Sequence, residues 1–269
     1  MVERGTHKPQ TMVRFHSSTQ KFVFHLNFYI FWLVYNTVTC YNIILPIFKK
    51  INKDFFKKWT TQMAYILGFF AADGYITLNK RGANFWCIEI TDKEILCKIK
   101  DCIESEHKIG EKIGMGNNKN LYRLQIGSFE MCDDLRKLGF DKNKTKSLAV
   151  PNIPEKYFSD FVRGYFDGDG NVWVGLNHKN RLIKSYTISC VFTSCSFVFL
   201  EALNDRLERI KGMKGSIRKG QGDYFRLTYS VISSLKLYNF MYNRTLLDMK
   251  GLFLQRKKIV FEKYMRMRL

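Results

Sequence analysis

The stretch "FVRGYFDGDGNV", Phe161–Val172, carries two acids and three glycines at the end of an apolar run with helical spacing. A second stretch, "YILGFFAADGYI", Tyr65–Ile76, has nearly the same layout. Aligning Asp73 with Asp169 superimposes the two stretches at an offset of 96 residues (169 minus 73). An element that occurs twice predicts a site built from two similar halves.

Two shorter matches follow each copy of this element in the same order. They pair Cys87–Leu96 with Cys190–Phe199, placing Thr91 over Thr193, and Leu121–Ser128 with Tyr224–Val231, placing Arg123 over Arg226. Short turns rich in Gly and Asn join the strand-like segments, and such turns connect antiparallel neighbours. Each half therefore reads as helix, two strands, helix, two strands, helix. The predicted fold class is α+β, a pseudo-symmetric, duplicated αββαββα arrangement with antiparallel sheets.

The strand-like segments alternate between apolar and polar positions. Tyr122, Leu124 and Ile126 share one face, and Arg123 and Gln125 share the other. The apolar face should pack on helices, and the polar, basic face should be exposed. Because this face carries arginines in both halves, we expect it to contact nucleic acid, where Arg favours guanine edges and Asn or Gln favours adenine edges. The predicted contacts are Asn79, Arg81, Arg123, Gln125, Asn177, Arg181, Arg218 and Arg226.

Small residues line one stripe of each motif helix. Ala64, Gly68 and Ala72 recur every four residues, and Gly164 and Gly168 repeat the pattern in the second copy. This spacing lets two helix backbones approach closely. The stripe therefore predicts that the two helices pack on each other about an approximate twofold axis, with Gly68 and Gly164 at the interface.

Asp73 and Asp169 come at the predicted ends of these helices. We expect Gly74 and Gly170 to end the helices in the left-handed conformation. A helix carboxyl end already carries partial negative charge, so two such ends with two carboxylates would attract a hard cation such as Mg²⁺. An EF-hand calcium loop is excluded, because Val172 stands where that loop requires glycine.

The composition limits the partners. Lys and Arg total 44 against 24 acids, a net charge of +20, which favours nucleic acid or an anionic membrane surface. The 7 cysteines are spaced like neither a zinc site nor a redox pair. They predict reduced thiols in an intracellular protein, although the cytoplasm, nucleoid and organelle matrix are not distinguished.

The N-terminal region differs from the rest. From Phe22 to Phe48 there is no charged residue, but polar residues interrupt the apolar run. We interpret residues 1–54 as an extension outside the catalytic fold, followed by a first half at 55–154 and a second half at 155–269. A membrane anchor in Phe22–Phe48 is the alternative, and we expect no membrane association.

The segments "ILGFFAADG", Ile66–Gly74, and "VRGYFDGDG", Val162–Gly170, resemble the paired motif of LAGLIDADG homing endonucleases. The resemblance extends from about Trp59 to Leu269. It implies a monomer with saddle-shaped sheets over double-stranded DNA and Mg²⁺-dependent cleavage of both strands at a long site, with Mn²⁺ as a possible substitute. It also implies that the gene lies in an intron or intein.

The resemblance also implies roles for individual residues. Asp73 and Asp169 would be metal ligands, and Ala72 and Gly168 would offer backbone carbonyls. Asp167, matched by Ala71 in the first copy, would be structural. Basic side chains near the scissile phosphates would be Lys142 or Lys144 in the first half and Lys257 in the second, and Asp92 and Ser194 would order solvent.

The main alternative is an RNA-binding splicing maturase of the same fold, with intron RNA as its partner. A DNA-binding regulator of similar fold is a second alternative. Loss of cleavage would free either protein to lose the motif acids, and both Asp73 and Asp169 are present. The sequence therefore favours the nuclease.

Overall fold

The computed structural model describes residues 49–116, 119–141, 144–177, 185–243 and 249–267, without the side chains of Lys144, Thr145 and Asn177. Lys142 and Arg181 lie outside the described residues, as does the whole N-terminal run up to Phe48. All described residues belong to the compact unit Lys49–Leu269. The boundary expected near residue 54 stays a prediction, although the backbone N–H of Asn52 already donates to Ile103 O at 3.0 Å.

The first half alternates helices with strand pairs. Its helices are α1 (Thr61–Asp73), α2 (Lys93–Cys102), α3 (Phe129–Lys137) and α4 (Lys144–Ser147), and its strands are β1 (Gly74–Leu78), β2 (Asn84–Ile90), β3 (Ile109–Lys112) and β4 (Leu121–Gly127). Thr60 caps α1, because its hydroxyl oxygen accepts from the backbone N–H of Met63 at 3.0 Å.

The second half repeats the order. Its helices are α5 (Glu155–Asp169), α6 (Phe197–Lys211), α7 (Val231–Tyr242) and α8 (Gln255–Arg266), and its strands are β5 (Gly170–Asn177), β6 (Ser185–Ser194), β7 (Ser216–Lys219) and β8 (Phe225–Tyr229). The sheets have the orders β1-β2-β4-β3 and β5-β6-β8-β7, with antiparallel neighbours. The predicted α+β, duplicated αββαββα fold is confirmed.

The strand register corrects one part of the repeat alignment. β1 and β5 begin with the pairs Gly74–Ile88 and Gly170–Phe192. Ile88 is thus equivalent to Phe192, an offset of 104 (192 minus 88). Placing Thr91 over Thr193 was wrong by two residues, because it followed a shared Cys and Thr pattern instead of the pairing that starts at the motif glycines.

The second strand match agrees with the register. Arg123 pairs with Glu89, and Arg226 pairs with Thr193, the residue equivalent to Glu89. The alternation is also as predicted, since Leu124 is buried in the core while Arg123 is exposed.

Apolar side chains of both halves join one core cluster, in which α1 and α5 are central. Tyr65 of α1, Tyr165 of α5 and Trp86 of β2 are among its largest buried side chains. Within the described ranges, no helix is long and apolar enough to cross a membrane.

Candidate active site and nucleic-acid interface

The two motif helices touch through their backbones at two glycines. A Cβ added to Gly68 would lie 2.1 Å from the carbonyl oxygen of Phe161, and one added to Gly164 would lie 2.0 Å from that of Tyr65. Both distances are far below any van der Waals contact. Only glycine at these two positions therefore permits the observed packing of α1 on α5.

Each motif helix passes directly into a strand. Gly74 has φ −91° and ψ 158°, and Gly170 has φ −87° and ψ 157°, so both are extended. The prediction of left-handed helix ends was therefore wrong. Glycine is required here for space, because an added Cβ would lie 2.1 Å from the Phe70 ring at Gly74 and 2.3 Å from the Phe166 ring at Gly170.

Asp73 and Asp169 are the last residues of α1 and α5, and both are half-buried. The Oδ2 atom of Asp73 lies 2.9 Å from the position that a Cβ of Gly168 would occupy. The Asp73 carboxylate thus faces the opposite motif, one residue before Asp169. Burial raises the pKa of Tyr165, and the charges of Asp169 and Asp73 raise it further. Both carboxylates therefore lie close enough to interact electrostatically with the same tyrosine.

Lys257 of α8 lies at the same helix end. Its ammonium donates to the carbonyl oxygens of four residues in and just after the last turn of α5, and only 5% of the residue is exposed. These acceptors are Phe166 O at 2.6 Å, Asp167 O at 2.7 Å, Gly168 O at 3.2 Å and Gly170 O at 2.6 Å. Burial lowers the pKa of Lys257 to about 8, while the carboxylates of Asp167, Asp73 and Asp169 act in the opposite direction.

Asp167 holds the start of α8 against α5. Its Oδ2 accepts from the Tyr65 hydroxyl at 2.8 Å and from the backbone N–H of Leu254 at 2.9 Å. Burial raises the pKa of this carboxyl group. The equivalent residue in the first half is Ala71, so this connection exists only in the second half of the repeat.

A buried ion pair makes a second connection of the same kind. The Arg163 guanidinium pairs with Asp160 at 2.9 Å, with neither side chain exposed. It also donates to Leu252 O and Met241 O, each at 3.0 Å. Arg163 therefore fastens the chain that leads into α8 onto the second motif helix.

A polar cluster on the exposed face of the first sheet was missed by the sequence reasoning. The Tyr75 hydroxyl donates to Glu89, and Glu89 lies 3.7 Å from the Arg123 guanidinium. Tyr75 directly follows the motif glycine, so the cluster borders Asp73. Opposite charges at Glu89 and Arg123, which face each other across neighbouring strands, could have revealed this cluster from the sequence. The repeat alignment that placed Thr91 over Thr193 drew attention away from Glu89.

Among the predicted DNA contacts whose side chains the structure describes, five are exposed on strands and turns: Asn79, Arg81, Arg123, Arg218 and Arg226. The Asn79 side chain shapes its own turn, because its Oδ1 accepts from the backbone N–H groups of Arg81 and Ala83, each at 2.9 Å, and its contact with DNA stays a prediction. Arg218 pairs across the strands with Arg226. They line a surface depression of about 520 Å³ with Lys219, Gly220, Gln221, Tyr224 and Thr228. Gln125 is half-buried beside exposed Arg123.

The expected solvent-ordering pair has to be reassigned. With the corrected register, the equivalent of Asp92 is Ser196, because each occupies the N-cap position of the helix after the second strand. Ser194 is buried, and its Oγ accepts from the backbone N–H of Ser196 at 3.1 Å. Asp92 pairs with Arg256 of α8 at 3.0 Å.

The residues at the joined helix ends suit a hard cation only in part. Their donors are two carboxylates and backbone carbonyls, the oxygen ligands that Mg²⁺ prefers. Across the described ranges, no group of three or more His, Cys, Asp and Glu side chains could hold a metal ion. The donor set therefore fits a cation that keeps water and takes further oxygens from a phosphate substrate.

Comparison with known proteins relates the chain to one family. Residues 60–137 match the family model described as a LAGLIDADG-like domain. The chain is 35% identical over 138 residues to the probable translation initiation factor IF-2 of Thermococcus kodakarensis, covering 49% of this chain and 10% of that protein. It is 32% identical over 114 residues to the DNA-directed RNA polymerase subunit Rpo1C of Methanocaldococcus jannaschii, covering 40% of this chain and 12% of that one. The chain thus spans about a tenth of the length of these relatives.

Solved structures share the fold over most of the chain. The LAGLIDADG meganuclease I-AabMI bound to uncleaved DNA has a TM-score of 0.51 at 15% identity, with 76% of this chain and 88% of that chain covered. The homing endonuclease I-WcaI bound to its DNA recognition sequence has a TM-score of 0.51 at 19% identity, with 77% and 90% covered. Residues 60–137 thus match a LAGLIDADG-like domain, and the chain shares its fold with these single-chain meganuclease structures.

Proposed function

We propose that this protein is a site-specific DNA endonuclease that cuts both strands of a long recognition site. The observation that carries the proposal is the approach of the Asp73 carboxylate to Gly168 at the joined ends of the motif helices. The two strands of a DNA duplex are related by a similar twofold axis, so one acid from each repeat can act on each strand.

The metal site of this proposal consists of Asp73, Asp169 and the backbone carbonyls of Ala72 and Gly168. Bound Mg²⁺, or Mn²⁺ in its place, supplies an activated water and stabilises charge at the phosphorus atom. Lys257 acts as a positioning residue here, because its ammonium fixes the carbonyls of the last α5 turn, including Gly168 O. Lys142, expected to have the similar role in the first half, stays a prediction.

DNA binding in this proposal uses the exposed strand faces of both halves. Arg123, Arg218 and Arg226 are exposed there. Arginine binds guanine edges and phosphates with paired donors, so these residues combine affinity with sequence preference. The Arg226 guanidinium also lies over the Tyr224 ring, 5.2 Å from its centroid, which is a favourable cation–π contact.

The curated relatives support a mobile coding element. Two proteins with unrelated names match this chain over only a tenth of their length. A segment shared within the sequences of otherwise unrelated proteins is what in-frame insertion of a mobile element, such as an intein, predicts. We therefore propose that cleavage by this protein promotes copying of the element that encodes it.

The test is binding selection from a randomised duplex library, followed by cleavage of the selected DNA with Mg²⁺. We expect wild-type protein to cut both strands. Asp73→Asn and Asp169→Asn should each lower double-strand cleavage by more than ~100-fold, while DNA binding is retained. This loss exceeds that expected for a residue that only hydrogen-bonds to a metal ligand.

The matched control is Asp101→Asn, since Asp101 is an exposed acid in the last turn of α2. This variant should cut like wild type. Binding without cleavage by the wild-type protein would contradict the nuclease and favour a regulator or an RNA-binding maturase instead.

A further inference from the structure

The first turn of α8 contains an unusual run of positive charge. It begins Gln255, Arg256, Lys257, Lys258 and has no acid. A helix N-terminus is the positive end of the helix dipole, so three cations there oppose helix stability. Each of the three cations therefore needs an interaction that offsets its repulsion from the helix N-terminus.

Two of the three cations are engaged inside the protein. Lys257 is buried on the carbonyls of α5, as described above. Lys258 pairs with Glu262 at 2.7 Å and lies over the Phe253 ring, with only 17% of its side chain exposed. Arg256 is different, because 54% of its side chain is exposed and its guanidinium pairs with Asp92 at 3.0 Å.

Asp92, the partner of Arg256, does not make the capping hydrogen bond that its position allows. Asp92 occupies the N-cap position of α2, where an aspartate normally accepts from the helix backbone, but its side chain makes no capping hydrogen bond. Its equivalent, Ser196, caps α6 by accepting from the backbone N–H of Phe199 at 3.2 Å. A cap of this kind stabilises a helix. Asp92 turns instead towards a cation 164 residues away in the other half of the protein.

The chain neighbours of this pair connect it to the two motif helices. Arg256 directly precedes Lys257, whose ammonium contacts the last turn of α5. Gly74, the residue directly after Asp73, pairs with Ile88 of β2. Asp92 lies four residues beyond Ile88 in the chain. The Arg256–Asp92 bridge therefore joins the first turn of α8 in the second half to the start of α2 in the first half.

We propose that Arg256 binds a DNA backbone phosphate next to the cleavage site on one strand, and that Asp92 is the positioning residue that orients its guanidinium. A carboxylate that binds one side of an exposed arginine fixes the orientation of its guanidinium group. The remaining N–H groups then form a fork suited to phosphate oxygens. Ser196 in the second half cannot hold a cation in this way, so the contact is made to one strand only. This inference rests on the proposed function.

The test maps phosphate contacts without metal, by ethylation interference on the DNA selected above. Ethylation of one phosphate near the centre of the site should weaken binding of the wild-type protein. In Arg256→Gln, that interference should disappear while the remaining pattern is unchanged. In Asp92→Asn it should weaken, and the double variant should match Arg256→Gln, since the carboxylate acts only through the arginine.

Lys258→Gln is the matched control, because this neighbouring cation is already paired within its own helix, and its pattern should equal that of the wild type. With Mg²⁺, Arg256→Gln should slow cleavage of one strand roughly 10- to 100-fold and accumulate nicked DNA, the range for losing one hydrogen bond to a charged group.

An interference pattern that is identical in wild type and Arg256→Gln would overturn this inference and leave the proposed function intact. Equal slowing of both strands would also overturn it. Absence of any interference pattern in the wild-type protein would overturn the proposed function, and the inference with it.

Discussion

At the scale of the residue, four glycines set how closely the two repeats approach. Gly68 and Gly164 let the helix backbones touch, and Gly74 and Gly170 leave room for the phenylalanine rings four residues before them. None of the four has a positive φ. Each is required because the absent Cβ leaves space for a neighbouring group, and backbone freedom is not the reason.

Gly68→Ala should therefore destabilise the protein. The added methyl group would meet a backbone carbonyl that can move only if the whole of α5 moves. We expect a loss of about 1–3 kcal/mol in the free energy of unfolding, the usual cost of overpacking, measured by urea denaturation. Gly110→Ala is the control, since its Cβ would make only an ordinary contact at 3.7 Å. Equal stability of both variants would contradict the observed helix packing.

At the scale of the element, α8 and the chain before it are fastened to α5 by buried polar groups of the second half. Arg163 binds the carbonyl of Leu252 in this segment and that of Met241 in α7, and Asp167 binds the backbone N–H of Leu254 just before α8. The first repeat has Ala64, Leu67 and Ala71 at the positions of Asp160, Arg163 and Asp167. The second motif helix thus has an anchoring function that the first lacks.

Replacing residues by their counterparts from the first repeat tests this anchoring. Arg163→Leu should cost about 3–5 kcal/mol, because it leaves the Asp160 carboxylate buried without its cation. Adding Asp160→Ala should restore part of that loss by removing the unpaired charge. Urea denaturation of the single and double variants measures the difference. A double variant less stable than Arg163→Leu alone would contradict the arrangement.

Local patterns predicted the helices, the alternation of strand faces and the motif acids, because each depends on residues near one another in sequence. The extended conformation of Gly74 was not predictable in this way, since it depends on where the Phe70 ring lies. The four carbonyls bound by Lys257 lie 87 to 91 residues away in sequence. No spacing rule reaches that distance, so the contacts of Lys257 could be found only from the structure.

At the scale of the whole molecule, charge and fold act together. The net charge of +20 is large for a chain of this size, and the strand faces that carry exposed arginines belong to both halves. A duplex bound along both sheets would neutralise many phosphates at once. Affinity should then come mostly from counterion release, with base contacts and DNA shape adding specificity.

Binding to the selected DNA should therefore weaken steeply with salt. For six or more phosphate contacts, we expect a fall of about 10³-fold or more between ~50 and ~200 mM salt. Arg226→Ala should reduce the slope of log affinity against log salt by about one if it contacts a phosphate. Lys53→Ala is the control, because Lys53 precedes α1, at the end opposite the acids, and pairs with Glu130 at 3.0 Å. A flat salt dependence in the wild-type protein would contradict this binding mode.

The most direct measurement is anomalous scattering from Mn²⁺ in crystals of the protein bound to its selected DNA. The proposal predicts manganese peaks within coordination distance of the Asp73 and Asp169 carboxylates, each also close to a backbone phosphate. Manganese that binds elsewhere, or is absent while the DNA is in place, would contradict a metal site shared by the two repeats.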